Sequence, residues 1–368
     1  MKLIIATGIS GGGEKDFLDK WEKYCGERGK RVKVFHTGDL VFKHHADIGI
    51  NLNLTNVLNV DLGRLQTARS AVLKGVLDEI TNSPDKYDVV IVCIHMWFWW
   101  NEIYLDAYDR FLKKFLTKPR STSFVTFIDD FRPILSRLTS REQWQGQKLD
   151  AKAILSWQNI EVASTYRLAD FAGVPFHAVA TSQEPSEFYK LIFHPEIETV
   201  YVGMPISHLR GEEERRPIDE FIKKLGKYFT IFNPLSVEVV GAIHFEKEEQ
   251  EERGEDESAI HHHIAHRDLY WFLHFCDKMV AYWPKISPPE IVRKNPEILK
   301  LWPKAIASPG LDNEMQAARG EGKDVWTVFL GTEASPFVIR NSTKLFLSEE
   351  EFFKFLDEKY PERKNLTW

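Results

Sequence analysis

The chain is poor in cysteine, has no long apolar run and carries little excess charge, and each shortage excludes something. Its three cysteines, Cys25, Cys93 and Cys276, lie far apart with no CxxC pair. A disulfide scaffold or a cysteine-built metal centre is therefore not expected, and a reducing cytoplasm fits best. No stretch reaches the ~18 apolar residues that a membrane-spanning helix needs. The longest candidate, Val89 to Trp100, is broken by His95. The opening run from Met1 is too short for a signal peptide and leads straight into glycines. Lys and Arg number 48 against 54 Asp and Glu, a net charge of −6, which argues against a broad nucleic-acid surface.

What remains is ordinary globular material, 43% hydrophobic and 28% charged, and 368 residues exceed the usual single domain. Lys2 to Ala6, Arg31 to His36, Tyr87 to His95, Phe124 to Ile128 and Pro175 to Ala180 read as strands. Helical spacing separates them over Asp16 to Glu27, Leu65 to Ile80 and Ile154 to Ala172, the last closed by Gly173. Val89, Val90, Ile91 and Val92 in succession indicate a strand buried on both faces, and the alternation indicates an open parallel sheet. The rhythm restarts near residue 197, with strands at Thr199 to Val202, Phe229 to Phe232, Lys278 to Tyr282 and Val325 to Leu330. Helices are expected through Ile218 to Leu225, Arg267 to Cys276 and Asn313 to Arg319. The expected fold class is thus α/β with two open parallel-sheet domains, residues 1–190 and 197–368, hinged in the polar stretch from Glu184 to Glu198. The acidic tract Glu246 to Glu257 reads as a solvated helix or loop.

Gly8-Ile9-Ser10-Gly11-Gly12-Gly13-Glu14-Lys15 stands between a strand and a helix, the context of a phosphate-cradling loop. GxGxxG fails, because Asp16 takes its last glycine position. GxxxxGK[ST] nearly fits through Gly8 and Gly13, but Glu14 holds the lysine slot and Lys15 arrives one residue late. A carboxylate aimed into such a nest repels phosphate, and that chemistry needs a lysine. Three readings stay open: a turn alone, nucleotide binding without transfer, and a working kinase.

This loop, His36-Thr37-Gly38-Asp39, the strand Val89 to His95 and Phe124 to Asp130 resemble the P-loop nucleoside-monophosphate kinases of the adenylate-kinase type. The resemblance implies a P-loop NTPase-like domain. Nucleotide binding would then fall to Gly8, Ser10, Gly11, Gly12, Gly13 and Lys15, with Arg137 and Arg141 closing over the phosphates. ATP and Mg²⁺ enter as cofactors only if this loop functions.

In the second half, Ser308-Pro309-Gly310-Leu311-Asp312-Asn313-Glu314 is a small turn opening a helix. It places Glu314 early in that helix, where the positive end favours a carboxylate. Such a group can attack an anomeric carbon or stabilise an oxocarbenium ion. Asp312 reads as solvated or capping, and Asp277 as a turn residue.

Together with Thr199 to Ser207, His266-Arg267-Asp268 and Phe275 to Tyr282, this segment resembles the nucleoside 2-deoxyribosyltransferase superfamily, which includes the deoxynucleoside-5′-monophosphate N-glycosidases. The resemblance implies a smaller Rossmann-like domain that needs no cofactor, with Glu314 as nucleophile and Ser308, six residues earlier, at the sugar 5′ position. It also implies Asp268 assisting base departure and Tyr201 orienting the nucleophile. Gly203, Gly310, Ser207 and Arg210 would contribute to substrate binding. Serine at position 308, rather than a carboxylate, tilts the substrate toward a monophosphate, because a hydroxyl can donate to a phosphate that an acid would repel. Family sites often borrow residues across a subunit interface, so a homo-oligomer is expected.

His261, His262, His263 and His266 lack an HExxH arrangement and read as a polar helix entry, not a metal site. Trp97, Phe98, Trp99 and Trp100 read as core or an interdomain face. The proline-rich segment between Tyr282 and Ser308 reads as a lid or strut. The expected function is cleavage or transfer of the N-glycosidic bond of a nucleoside 5′-monophosphate. A nucleotide kinase and a non-catalytic nucleotide sensor are the alternatives.

Overall fold

The computed structural model describes residues 1–53, 57–116, 122–206, 212–237, 254–284, 294, 297, 308–331, 334–364 and 366. The chain divides into two compact units, residues 1–186 with 253–263 and residues 187–252 with 264–368.

The first unit is built on five parallel strands: β1 (Lys2–Thr7), β2 (Val32–His36), β3 (Val89–Ile94), β6 (Thr122–Ile128) and β7 (Phe176–Ala180). They lie in the order β2-β3-β1-β6-β7. β1 sits at the centre, with Ile4 opposite Ile91 on one side and Ser123 on the other. Leu3, Ile4, Ile5, Val90, Ile91 and Val92 have no solvent exposure, as the unbroken apolar runs require of a sheet covered on both faces.

Helix α1 (Glu14–Glu27) buries Phe17, Leu18, Trp21 and Cys25, one stripe at helical spacing. α2 (Thr37–His44) follows β2 directly, and α3 (Leu62–Asn82) starts at an N-cap where Asp61 accepts from the Arg64 amide. A short α4 (Leu112–Leu116) and α5 (Phe131–Thr139) precede α6 (Ala151–Ala172). α6 is capped by Asp150 and ends at Gly173, whose φ of 64° suits a residue without a β-carbon.

Between β3 and β6 an antiparallel hairpin forms from β4 (Trp97–Trp100) and β5 (Ile103–Asp106). The four aromatic residues divide by strand alternation: Trp99 is buried in a cluster with Trp144 and Trp157 against which half-buried Trp97 also packs, while Phe98 and Trp100, half-buried, alternate to the other face. The stretch read as a hinge carries a helix, α7 (Pro185–Phe193), that buries Phe188, Tyr189, Leu191 and Ile192. Pro185 opens that helix, where proline's missing N–H costs nothing.

The second unit is a five-stranded parallel sheet of β8 (Thr199–Gly203), β9 (Thr230–Phe232), β10 (Lys278–Trp283), β11 (Asp324–Phe329) and β12 (Lys344–Phe346). Their order is β12-β11-β10-β8-β9. On one face, Val200, Val202, Val280, Tyr282, Trp326 and Val328 pack with residues of α8 (Glu212–Leu225) and α12 (Glu349–Lys359). Phe221 stacks on Tyr282 with ring centroids 4.0 Å apart.

Before β10 the chain runs through α9 (Gly254–Arg267), a π-helical turn (Asp268–Phe272) and a 3-10 turn (Leu273–Phe275). α10 (Pro309–Gly320) crosses from β10 to β11 and packs against β8, β10 and β11. A short α11 (Pro336–Asn341) precedes β12. The strand order turns back between β8 and β10, so the crevice at their carboxyl ends is where a sheet of this kind receives a ligand. Both units are therefore open parallel α/β sheets. Most of the acidic tract and of the proline-rich segment between Tyr282 and Ser308 lies outside the described residues.

Candidate functional sites

Helix α10 places the carboxylate chemistry of the second unit. Ser308 is its N-cap, with Oγ accepting from the Leu311 amide at 3.4 Å, and Pro309 takes the first helical position. Capping uses an acceptor lone pair of the hydroxyl and leaves its proton to donate elsewhere. Ser308 is nevertheless buried at 5% exposure.

Glu314 follows one and a half turns later. A β-carbon built on Gly203, the last residue of β8, would stand 2.7 Å from Glu314 Oε2, 2.7 Å from Leu311 Cδ1 and 2.6 Å from Met279 Cε. The carboxylate therefore rests against the strand end through space that only a glycine leaves open. Tyr201 lies two residues earlier on β8, on the same face of the sheet, and is fully buried.

Asp268 opens the π-helical turn against which α10 also packs. Its Oδ1 accepts from Arg267 Nε at 2.9 Å and Nη2 at 2.8 Å, and both residues are at or below 5% exposed. Burial pushes the Asp268 carboxyl above the ordinary aspartate range, and the adjoining guanidinium pulls it back down.

Gly310 is exposed, and a β-carbon there would meet nothing within 4 Å. Ser207 and Arg210 lie outside the described residues. Asp277 accepts from the Thr199 amide at 2.7 Å and hydroxyl at 2.8 Å, tying the starts of β8 and β10 together. Asp312, read as solvated or capping, is half-buried in the first turn of α10. Ser308 does the capping, and Asp312 Oδ1 is buried without a hydrogen-bond partner among the described residues.

In the first unit the glycine loop joins β1 to α1. Gly11 and Gly13 have φ of 76° and 84°, the left-handed region that glycine enters freely. Glu14, the first residue of α1, folds its carboxyl back toward the loop. It accepts from its own amide, and Oε2 lies 3.4 Å from where a Gly12 β-carbon would be. Burial raises the Glu14 carboxyl, while Arg141 and Arg137 oppose the rise.

The Arg137 guanidinium spans the loop, donating to the Gly11 carbonyl at 2.6 Å and to Asp129 Oδ2 at 2.6 Å. Arg141 is exposed. Lys15 points away and pairs with Asp39 of α2, a contact that raises its ammonium further. Thr181 holds the Gly12 carbonyl from β7's end at 3.2 Å. The loop's positive groups thus face the protein's own carboxylates. These residues do not fit a magnesium nucleotide held through a lysine.

Two further residues brace the loop, neither of them marked for that role by any motif. His95 Nδ1 meets the Gly8 carbonyl at 2.5 Å, and burial lowers this imidazole to about 4. Glu161, wholly buried on α6, accepts from the amides of Met96 at 2.8 Å and Trp97 at 2.9 Å. Its carboxyl is pushed up to about 8 by burial, against the pull of those amides, the Gly8 amide and Arg69. A single glutamate inside a long amphipathic helix looks like any solvated one until the sheet covers it.

No family model and no curated protein matches the chain. Solved kinases resemble about half of it. A shikimate kinase from Acinetobacter baumannii, solved with shikimate, is 10% identical over 53% of this chain and 94% of its own, with a TM-score of 0.33. A sugar kinase from Janibacter sp. is 15% identical over 52% and 91%, with a TM-score of 0.29. A deoxyadenosine kinase from M. mycoides, solved with dCMP and dCDP, is 12% identical over 53% and 98%, with a TM-score of 0.30. Likeness at this level assigns neither substrate nor reaction. Among the described residues, no helix is long and apolar enough to cross a membrane, and no cluster of His, Cys, Asp and Glu is grouped to hold a metal ion.

Proposed function

We propose that the second unit cleaves or transfers the N-glycosidic bond of a nucleoside 5′-monophosphate, with deoxyribose favoured. The observation that carries this reading is the Glu314 carboxylate seated over Gly203 at the carboxyl end of the sheet. A carboxylate there is held at fixed height above the crevice, as attack on C1′ requires. Glu314 forms the glycosyl bond as the base leaves. Asp268 assists base departure from the π-helical turn beside α10. Ser308 donates its hydroxyl to the 5′-phosphate at a helix N-terminus, where an anion is favoured. Tyr201 positions Glu314 from the adjoining strand. Water resolves the intermediate in a hydrolase, and a second base does so in a transferase.

Incubation with a panel of nucleosides and monophosphates, with chromatography of free base, tests this. Base release from a monophosphate, lost in Glu314→Gln, is expected. A second reading, nucleotide binding by the first unit, is favoured by the left-handed Gly11 and Gly13 before α1. ADP formation from ATP and a monophosphate, with no free base, would replace the glycosidase by a kinase.

A further inference from the structure

Glu161 of α6 holds two separate segments of the first unit with one carboxylate. Oε1 accepts from the Met96 amide at 2.8 Å and Oε2 from the Trp97 amide at 2.9 Å, where the chain enters the β4–β5 hairpin. The same carboxylate accepts from the amide of Gly8, the first glycine of the loop. The Gly8 carbonyl in turn meets His95 Nδ1, one residue before Met96. Loop and hairpin are thus tied through one buried group. Both also line one cavity of about 130 Å³, with Ser10 from the loop and Phe98 and Trp100 from the hairpin.

The other contacts of α6 with these segments are neutral. Trp157 Nε1 donates to the Trp97 carbonyl at 3.0 Å, and Trp97 Nε1 donates to Ser164 Oγ at 2.7 Å, from the same face of α6 as Glu161. Thr165 and Thr7 share a hydrogen bond of 2.8 Å that fixes α6 on β1. None of these changes with a proton. The carboxylate does, because its three amide partners are all donors. Ionised, it accepts from each; protonated from solvent, one oxygen turns donor and faces an N–H.

Arg69 of α3 is the charge that acts on Glu161, and burial lowers its guanidinium only to about 10, so it stays ionised at neutral pH. Burial brings the Glu161 carboxyl itself to about 8. Among the elements packed on α6, β1 carries Lys2, β4 carries no titratable side chain and β7 carries His177. The end of β6 and α5 carry the pairs Asp129–Arg137 and Asp130–Arg132. Tyr104 of β5 donates to the Ala153 carbonyl of α6.

We propose that Glu161 is a proton-operated latch: ionised, it holds the glycine loop and the hairpin together as walls of one cavity, and protonated, it lets the two segments move apart. The neutral indole contacts stay in place, so release loosens the backbone at Gly8, Met96 and Trp97 without unfolding the unit. The latch is independent of the glycosidase reading.

The test is amide hydrogen exchange of the full chain, corrected for the intrinsic rate at each pH, on the parent and on Glu161→Gln. A buried acid that merely destabilises the fold would lower protection throughout the first unit as it ionises. The latch predicts the opposite at three amides. Protection of Gly8, Met96 and Trp97 should rise at least about tenfold from about pH 7 to 9, along one curve with a midpoint near 8, and the rise should vanish in Glu161→Gln. A fall at these amides with the rest of the sheet would overturn the proposal. So would separate midpoints for Gly8 and Trp97, or an unchanged rise in the folded variant, which would assign the titration to another group. The sign and the shared midpoint are read in the parent, so a misfolded variant leaves the test intact.

Discussion

Glu314 Oε2 stands 2.7 Å from the place a β-carbon would occupy on Gly203. The carboxylate of the helix and the missing side chain of the strand are therefore one feature. Gly203→Ala introduces a methyl group into that contact and also into Met279 and Leu311. Overpacking of this kind costs about 1–3 kcal/mol. The displaced carboxylate should lower base release by about 10²-fold. Urea denaturation and a base-release assay on the same protein measure both, and retention of full activity would separate Glu314 from the reaction.

Arg267 and Asp268 are buried together. Arg267→Met leaves an unpaired acid in the interior and should cost about 3–5 kcal/mol, while Arg267→Met with Asp268→Leu should recover most of that. Unfolding of the two single variants and the double gives the coupling directly. Additive losses would mean that the pair does not act as one.

The glycine loop faces its own acid. Glu14→Gln removes the charge that Arg137 and Arg141 answer, and pyrophosphate should then bind at least about tenfold more tightly than to the parent, since each 1.4 kcal/mol is a factor of ten. Isothermal titration with pyrophosphate reads this, and unchanged binding would show that Glu14 does not compete for the loop.

Glu161 makes the first unit's stability depend on pH. Its folded value of about 8 lies above the ordinary 4.5. Between those values the folded state keeps a proton that the unfolded chain has released, so stability falls as pH rises through the window. His95, lowered to about 4 from 6.5, acts with the opposite sign and only below about pH 6.5. From pH 6.5 to 8 Glu161 should contribute a loss of about 2 kcal/mol. Denaturation midpoints at those two pH values should differ in the parent and converge in Glu161→Gln. Equal slopes would place the pH dependence elsewhere.

The strands that carry both units were legible because parallel sheets bury both faces, and Val89 to Val92 or Phe124 to Ile128 admit little else. The hairpin was not. Its turn residues Asn101 and Glu102 have φ of 46° and 65°, and without glycine there the usual turn signature is missing. β12 spans only Lys344–Phe346 and gives no periodicity to read. At the candidate sites, Ser308 and Asp268 were singled out by the resemblance of their segments to a known superfamily, and Glu314 by that resemblance and its place near a helix start. The role of Gly203 as the seat of the carboxylate needed coordinates, as did Arg137's grip on Asp129, because each contact joins residues far apart in the chain or hides in side-chain direction.

The most direct measurement is release of free base from a deoxynucleoside 5′-monophosphate by the parent and by Glu314→Gln. The expected result is measurable release by the parent and a fall on the order of 10³-fold or more in the variant, with folding intact. Equal rates in the two proteins would contradict the assignment.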